Sequence, residues 1–285
     1  MEALPFSSIR SAMEKANKMQ AAGEKIIHLE IGRPDFDTPQ KIKDAANASL
    51  EAGHVFYTSN YGNPKLREAV AKRMTEKNHV PYDASEVLIT IGVCQATYSA
   101  MAAFLEEGDE VLVPNPVWLN YIHVPTSLGA KAVTYSLKEE NNYQIDLAEL
   151  ESKINDHTKM LVIVDPSNPT GGVFSRETLE KVAEIAIKHD LIVISDEIYE
   201  QLVYDNTEHV SIASLPGMKE RTITLGGFSK AYSMTGWRLG YMCAPLDVNQ
   251  ACVRLQLYTV VCAPSFCQEA AITALEECDE DVEIM

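Results

Sequence analysis

The sequence has no Cys-x-x-Cys pair. Its six cysteines are Cys94, Cys243, Cys252, Cys262, Cys267 and Cys278. Their spacing matches neither a zinc ribbon nor a disulfide framework, so a reducing compartment, the cytoplasm, is the simpler setting. The seven histidines show no His-Glu-x-x-His spacing and read as structural or solvated. Both Gly-x-Gly-x-x-Gly and Gly-x-x-x-x-Gly-Lys-Ser/Thr are missing, so neither common nucleotide-binding loop is present. Basic residues are scarce: 24 Lys plus Arg against 41 Asp plus Glu leave a formal charge of −17. Nucleic acids and anionic membranes both need a basic footprint, and this balance argues against either partner. Uninterrupted apolar runs are lacking as well. Val87–Leu105 is broken by Gly92 and Gln95, and Val111–Ala130 carries Pro114, Pro116 and Pro125, so neither reads as a membrane span. The opening Met1-Glu2-Ala3-Leu4-Pro5 places an acid where a secretory leader carries a base. No repeat or low-complexity tract occurs.

What is present is an alternation. The chain has 285 residues, 46% of them apolar, which is enough to bury a large core without staples. Short apolar, β-branched runs occur at 86–90, 110–113, 132–135, 160–164, 191–195 and 222–225. Helical patterns separate many of them. In 175–189, Leu179, Val182, Ala183 and Ala186 recur at helical spacing, Ser175 can cap, and Glu177 sits in the first turn. Thr38-Pro39 and Asn63-Pro64 each read as a cap followed by proline at the first helical position. Wholly apolar runs between helices predict an α/β fold with a mostly parallel central sheet covered by helices on both faces.

In such sheets ligands bind beyond the carboxyl ends of the strands, and those ends are loaded. They carry Gly92-Val93-Cys94-Gln95, Asn115-Pro116-Val117-Trp118, Asp165-Pro166-Ser167-Asn168-Pro169-Thr170-Gly171, Asp196-Glu197-Ile198-Tyr199 and Gly226-Gly227-Phe228-Ser229-Lys230. Each alone has an ordinary reading. Asn-Pro-Thr-Gly is turn chemistry, a carboxylate after a strand caps a helix, Trp118 is core, and Lys230 and Arg238 are surface charges.

Together they read differently. Ser229-Lys230 with Met234-Thr235-Gly236-Trp237-Arg238 resembles the pyridoxal-phosphate lysine motif of the class I/II (fold-type I) aminotransferases. Ser167–Gly171 and Asp196–Tyr199 match the same family in the same order. So do Ile31–Pro39, with Gly32 and Arg33, and Tyr57-Thr58 with Gly62 and Leu66-Arg67. The resemblance spans essentially the whole chain. It is closest to the branch of aspartate and aromatic or branched-chain aminotransferases.

The resemblance implies pyridoxal 5'-phosphate as cofactor, with an amino acid and a 2-oxo acid as substrates. Lys230 is then the catalytic lysine: it holds the cofactor aldehyde as a Schiff base and, once freed, moves a proton. Asp196 pairs with the pyridine nitrogen, favouring its charged form. Tyr199 and Asn168 bond the ring's phenolic oxygen, and Trp118 stacks on the ring. The amides of Val93 and Cys94 at a helix start receive the phosphate, with Arg238 as a bidentate fork and Ser229 beside them. Gly32, Trp118 and Asn168 face the substrate. Tyr57 reaches the phosphate of a neighbouring subunit, which implies a homodimer with shared sites. Arg33 either reads the distal part of a substrate or faces solvent; solvent is favoured. The bonds Asn115-Pro116 and Asn168-Pro169 are implied to be cis.

There are departures from the family pattern. Cys94 replaces a Ser or Thr whose hydroxyl touches phosphate, and Gly227 replaces a serine found in some branches. The organisation expected is an amino-terminal arm and part of a small domain at 1–38, a cofactor-binding large domain at 39–264, and at 265–285 the start of a long helix leading to the rest of that small domain, which is incomplete here. On this reading the substrate-carboxylate arginine lies outside the chain. Two alternatives share the cofactor residues: a carbon–sulfur β-elimination lyase and a catalytically incomplete cofactor-binding fragment. A DNA-binding regulator on the same fold would need a basic helix, which this chain lacks.

Overall fold

The computed structural model describes residues 4–285. Met1, Glu2 and Ala3, on which the reading of the amino terminus rests, lie outside the described residues. Seven strands form one sheet: β1 (Val87–Thr90), β2 (Glu110–Asn115), β3 (Lys131–Ser136), β4 (Thr158–Val164), β5 (Ile192–Asp196), β6 (Thr222–Gly227) and β7 (Gly240–Cys243). Their order is β1-β7-β6-β5-β4-β2-β3. The run from β3 to β6 is parallel, whereas β7 is antiparallel to both β6 and β1.

The helices are α1 (Ser8–Ala21), α2 (Gln40–Glu51), α3 (Pro64–Glu76), α4 (Gly92–Phe104), α5 (Asn120–Ser127), α6 (Leu147–Ser152), α7 (Arg176–Lys188), α8 (Leu246–Thr259), α9 (Ser265–Glu277) and α10 (Asp279–Ile284). They cover the sheet on both faces. Leu88, Val111 and Val162 pack with Ala96, Tyr121 and Cys252 of α4, α5 and α8. Leu112, Leu161 and Val193 pack with Leu150 of α6 and with Leu179 and Val182 of α7. A third cluster joins β1 and β7 to α2, α3 and α9. The α7 pattern read from the sequence is the one buried. Leu179, Val182, Ala183 and Ala186 face the sheet, and Ser175 accepts from the Thr178 amide at 3.1 Å. Each fully buried Leu or Val contributes about 1.5–3 kcal/mol of transfer free energy.

Several expectations change. At the α2 start, Pro39 is the cap residue rather than the first helical one, and no side chain caps the helix. Thr38 is diverted: its Oγ1 donates to the Ser233 carbonyl at 2.7 Å and accepts from Trp237 Nε1 at 3.2 Å. Asn63-Pro64 behaves as expected, with Asn63 Oδ1 accepting from the Lys65 amide. Strand β7 was not foreseen, because it is four residues long and opens on Gly240, a poor strand former. The segment 265–285 forms two helices split at Cys278 rather than one long helix. Its first half packs on α2 and α3, burying Cys267, Ala270, Ala271 and Ala274. Helix α1 buries no residue. Asn115-Pro116 and Asn168-Pro169 are both cis, and so is Asp165-Pro166.

The parallel run aligns one edge. Asn115 pairs with Ser136, Val164 with Asp196, and Asp196 with Leu225. The segments following these strands therefore emerge side by side.

Candidate active site

Lys230 follows β6 at that edge and is half-buried. Its Nζ donates to the Gly32 carbonyl at 2.6 Å and lies 5.4 Å from the Tyr199 ring centroid. Burial lowers its pKa, while Asp196 and Cys94 oppose that shift. A lowered lysine pKa favours the neutral amine, the form that acts as nucleophile and base. Tyr199 and Asn168 meet as expected, Asn168 Nδ2 lying 3.5 Å from Tyr199 Oη.

Asp196 closes β5 and is 3% exposed. Burial pushes its pKa up to about 6, and hydrogen bonds from the Tyr121 hydroxyl and the Ile198 amide hold it down in part. Tyr121 Oη donates to Asp196 Oδ2 at 2.7 Å and accepts from Thr97 Oγ1 at 3.4 Å. Tyr121 was not singled out in the sequence. It sits in a run that reads as apolar helix, and only the fold brings it to a carboxylate 75 residues away. Trp118 is half-buried and meets Tyr121 edge-on, with centroids 5.7 Å apart.

The anion-binding half forms around Gly92, Gly240 and Arg238. Gly92 opens α4 with φ +69°, and a Cβ there would lie 2.9 Å from Arg238 Nη2. A Cβ on Gly240 would lie 2.9 Å from the Gly92 Cα. Only glycine lets these backbones close. The Arg238 guanidinium thus lies against the start of α4, where the amides of Val93 and Cys94 have no helical partners. Its Nη1 donates to the Thr235 carbonyl at 2.9 Å. Cys94 is exposed, and Ser229 sits half-buried beside Lys230.

Pyridoxal phosphate fits these residues on two observations. Asp196 is a buried carboxylate without an ion pair, and a protonated pyridine nitrogen supplies the missing cation. The glycine-walled cradle under Arg238 suits a phosphate in charge and in its open amides. Lining the cleft beside Lys230 are Gly32, Arg33, Tyr199, Tyr204 and Met285. Arg33 is exposed at its rim, in line with the solvent reading. Tyr57 is 85% exposed and is not brought to Lys230 within this chain. No helix among the described residues is long and apolar enough to cross a membrane.

Known proteins are similar to this chain over most of its length. An aspartate aminotransferase of Pyrococcus abyssi is 45% identical over 259 residues, covering 90% of this chain and 67% of that one. Aromatic-amino-acid aminotransferase 2 of Thermococcus litoralis is 42% identical, covering 97% of this chain and 70% of that one. The solved aspartate aminotransferase of Thermus thermophilus with maleate superposes with a TM-score of 0.96 at 34% identity, covering 99% of this chain and 74% of that one. With the sequence profile of Aminotransferase class I and II matching residues 24–284 as well, the chain belongs to that family.

Proposed function

We propose that this aminotransferase moves an amino group from an L-amino acid to a 2-oxo acid with pyridoxal 5'-phosphate held against Asp196 and Lys230. The observation that carries the reading is the buried Asp196–Tyr121 pair beside a half-buried lysine of lowered pKa. When bound, pyridoxal phosphate supplies an aldehyde that condenses with amines and a ring that takes up an electron pair from a substrate Cα. Lys230 Nζ would carry the proton between substrate Cα and cofactor, and burial, by lowering its pKa, favours the neutral base. Asp196 stays ionised beside the pyridine nitrogen and holds a proton there. Tyr199 and Asn168 orient toward the ring's phenolic oxygen, and Trp118 excludes water from one ring face. The Val93 and Cys94 amides, Arg238 and Ser229 take the phosphate, while Gly32, Trp118 and Asn168 border the substrate.

Residues 39–264 supply these groups except Gly32, which comes from the 1–38 segment. Phe56, Tyr57 and Tyr258 are large, exposed side chains suited to a second copy of the chain, whose Tyr57 would complete the phosphate site. The six unpaired cysteines fit a reducing cytoplasm. Relatives named for aspartate and for aromatic amino acids make those two donor classes the first to assay.

Absorption spectroscopy tests the reading. Adding pyridoxal phosphate to the purified chain gives a visible band, which Lys230→Ala removes along with at least a hundredfold of any turnover. Aspartate or tyrosine then bleaches the band, and 2-oxoglutarate restores it with formation of glutamate. Release of pyruvate and ammonia without a new amino acid would move the assignment to a lyase. A visible band that survives in Lys230→Ala would remove Lys230 from its role.

A further inference from the structure

On the far side of the Asp196 turn lies a second cluster of ionisable groups that the transamination chemistry does not use. Successive residues at a strand end point to opposite faces. Asp196 turns toward Tyr121, and Glu197 turns away with Ser195. Glu197 is 2% exposed, and its Oε1 accepts from Ser195 Oγ and Ser211 Oγ, both at 2.8 Å. Asn78 Nδ2 bonds Glu200 Oε2 and lies 3.3 Å from Glu197 Oε2. His209 comes from the following loop, with its side chain only 7% exposed. One ligand atom from each of Glu197, Glu200 and His209 lies within 4.8 Å of the others.

Two further observations point to something held there. Asp165 is 2% exposed, and its Oδ2 has no hydrogen-bond partner although it lies 3.8 Å from His209 Nε2. His209 Nε2 is itself buried and unpartnered. Unmet polar atoms are expensive in a packed interior. The charge is unmet too. Of the carboxylates Asp165, Glu197 and Glu200, only Glu200 has an arginine beside it among the described residues: Arg73, whose Nε lies 3.8 Å from Glu200 Oε1 and which Asp279 also shares. With His209 neutral, the cluster has a formal surplus of two negative charges.

We propose that Glu197, Glu200 and His209, with Asp165 adjacent, form a binding site for one divalent transition-metal ion behind the active-site turn. An imidazole nitrogen with carboxylate oxygens is a donor set for Zn²⁺ or Mn²⁺ rather than for Ca²⁺, which takes oxygen alone. Tetrahedral bonds of about 2.0–2.2 Å place ligand atoms roughly 3.3–3.6 Å apart, so closure from separations of up to 4.8 Å needs shifts of up to about 1 Å. The Ser195, Ser211 and Asn78 hydrogen bonds leave lone pairs on both glutamates, and they orient ligands as outer partners do in known sites. Without the ion, protons carry the balance: burial pushes Glu197 up to about 8 and Asp165 up to about 7. Because Glu197 and Glu200 flank Ile198-Tyr199, a bound ion also stiffens the turn that presents Asp196 and Tyr199. The site stands independently of the transamination reading.

The test titrates the full chain, stripped with chelator and free of cofactor, with MnCl₂ and separately with ZnCl₂ by calorimetry and thermal melting. Binding of one ion per chain is expected, with the melting temperature raised by about 5 °C at a hundredfold excess over Kd. His209→Ala and Glu200→Gln each weaken binding at least tenfold, and Cys94→Ser leaves it unchanged. Melting curves of the metal-free variants show that each folds, and the near-isosteric Glu200→Gln serves if His209→Ala does not. The proposal is overturned if neither ion binds saturably. It is overturned equally if both variants bind as the parent does, or if Cys94→Ser abolishes Zn²⁺ binding.

Discussion

Tyr121 shows how much one hydroxyl carries. Its bond to Asp196 is the shortest polar contact the carboxylate makes, and it is sealed in by Trp118 on one side and Thr97 on the other. A hydrogen bond to a buried charge stabilises by about 1.5–3 kcal/mol. Removing it takes away a donor that lowers the Asp196 pKa, so the carboxylate titrates still higher and attracts a pyridinium less. Tyr121→Phe is therefore expected to weaken pyridoxal-phosphate binding about tenfold or more in a fluorescence titration, with a melting temperature within a few degrees of the parent. Unchanged cofactor affinity would leave Tyr121 a packing residue.

Among the elements, α7 is specified locally at both ends. Ser175 caps it, Glu177 lies in its first turn and Lys188 in its last, so side-chain charge follows the helix dipole at both ends. Ser175→Ala is expected to cost about 1 kcal/mol, lowering the melting temperature by about 2–4 °C. Denaturant unfolding should show the same loss with an unchanged m-value. The edge strand β1 is managed differently. Its Ile89 amide donates to the Tyr61 carbonyl, and its Ile89 carbonyl accepts from Gln256 Nε2. Loop and helix thus cover the edge that would otherwise template aggregation.

At the scale of the whole molecule, burial of carboxylates sets the response to pH. Asp196, Asp165 and Glu197 are pushed up to about 6, 7 and 8, first by burial. All three lie above their unfolded values near 4, so between about pH 4 and 8 the folded chain binds more protons than the unfolded one. Stability then falls as pH rises through that window. The chelator-treated, cofactor-free chain is expected to melt several degrees higher at pH 5.5 than at pH 8.5, and Glu197→Gln should flatten the upper part of the curve. A melting temperature that rises across the same range would contradict the burial of these groups. Lys230 acts in the opposite sense, since its folded pKa is the lowered one.

The sequence by itself determined the α/β alternation, the α7 face, and five ordered motifs, three of which carry Lys230, Asp196, Asn168, Tyr199 and Arg238. These signals are local: periodicity, caps and short spacings are written within a dozen residues. Only the tertiary structure decided which distant groups meet. Tyr121 of α5 reaches Asp196 at the end of β5 across 75 residues. Lys230 meets the Gly32 carbonyl across 198 residues, and His209 faces Asp165 from a loop with no pattern of its own. Strand β7 exists because β1 and β6 offer it two free edges, which outweighs the poor strand propensity of Gly240. Such pairings depend on how buried faces close on one another, and nothing in the spacing along the chain encodes that distance.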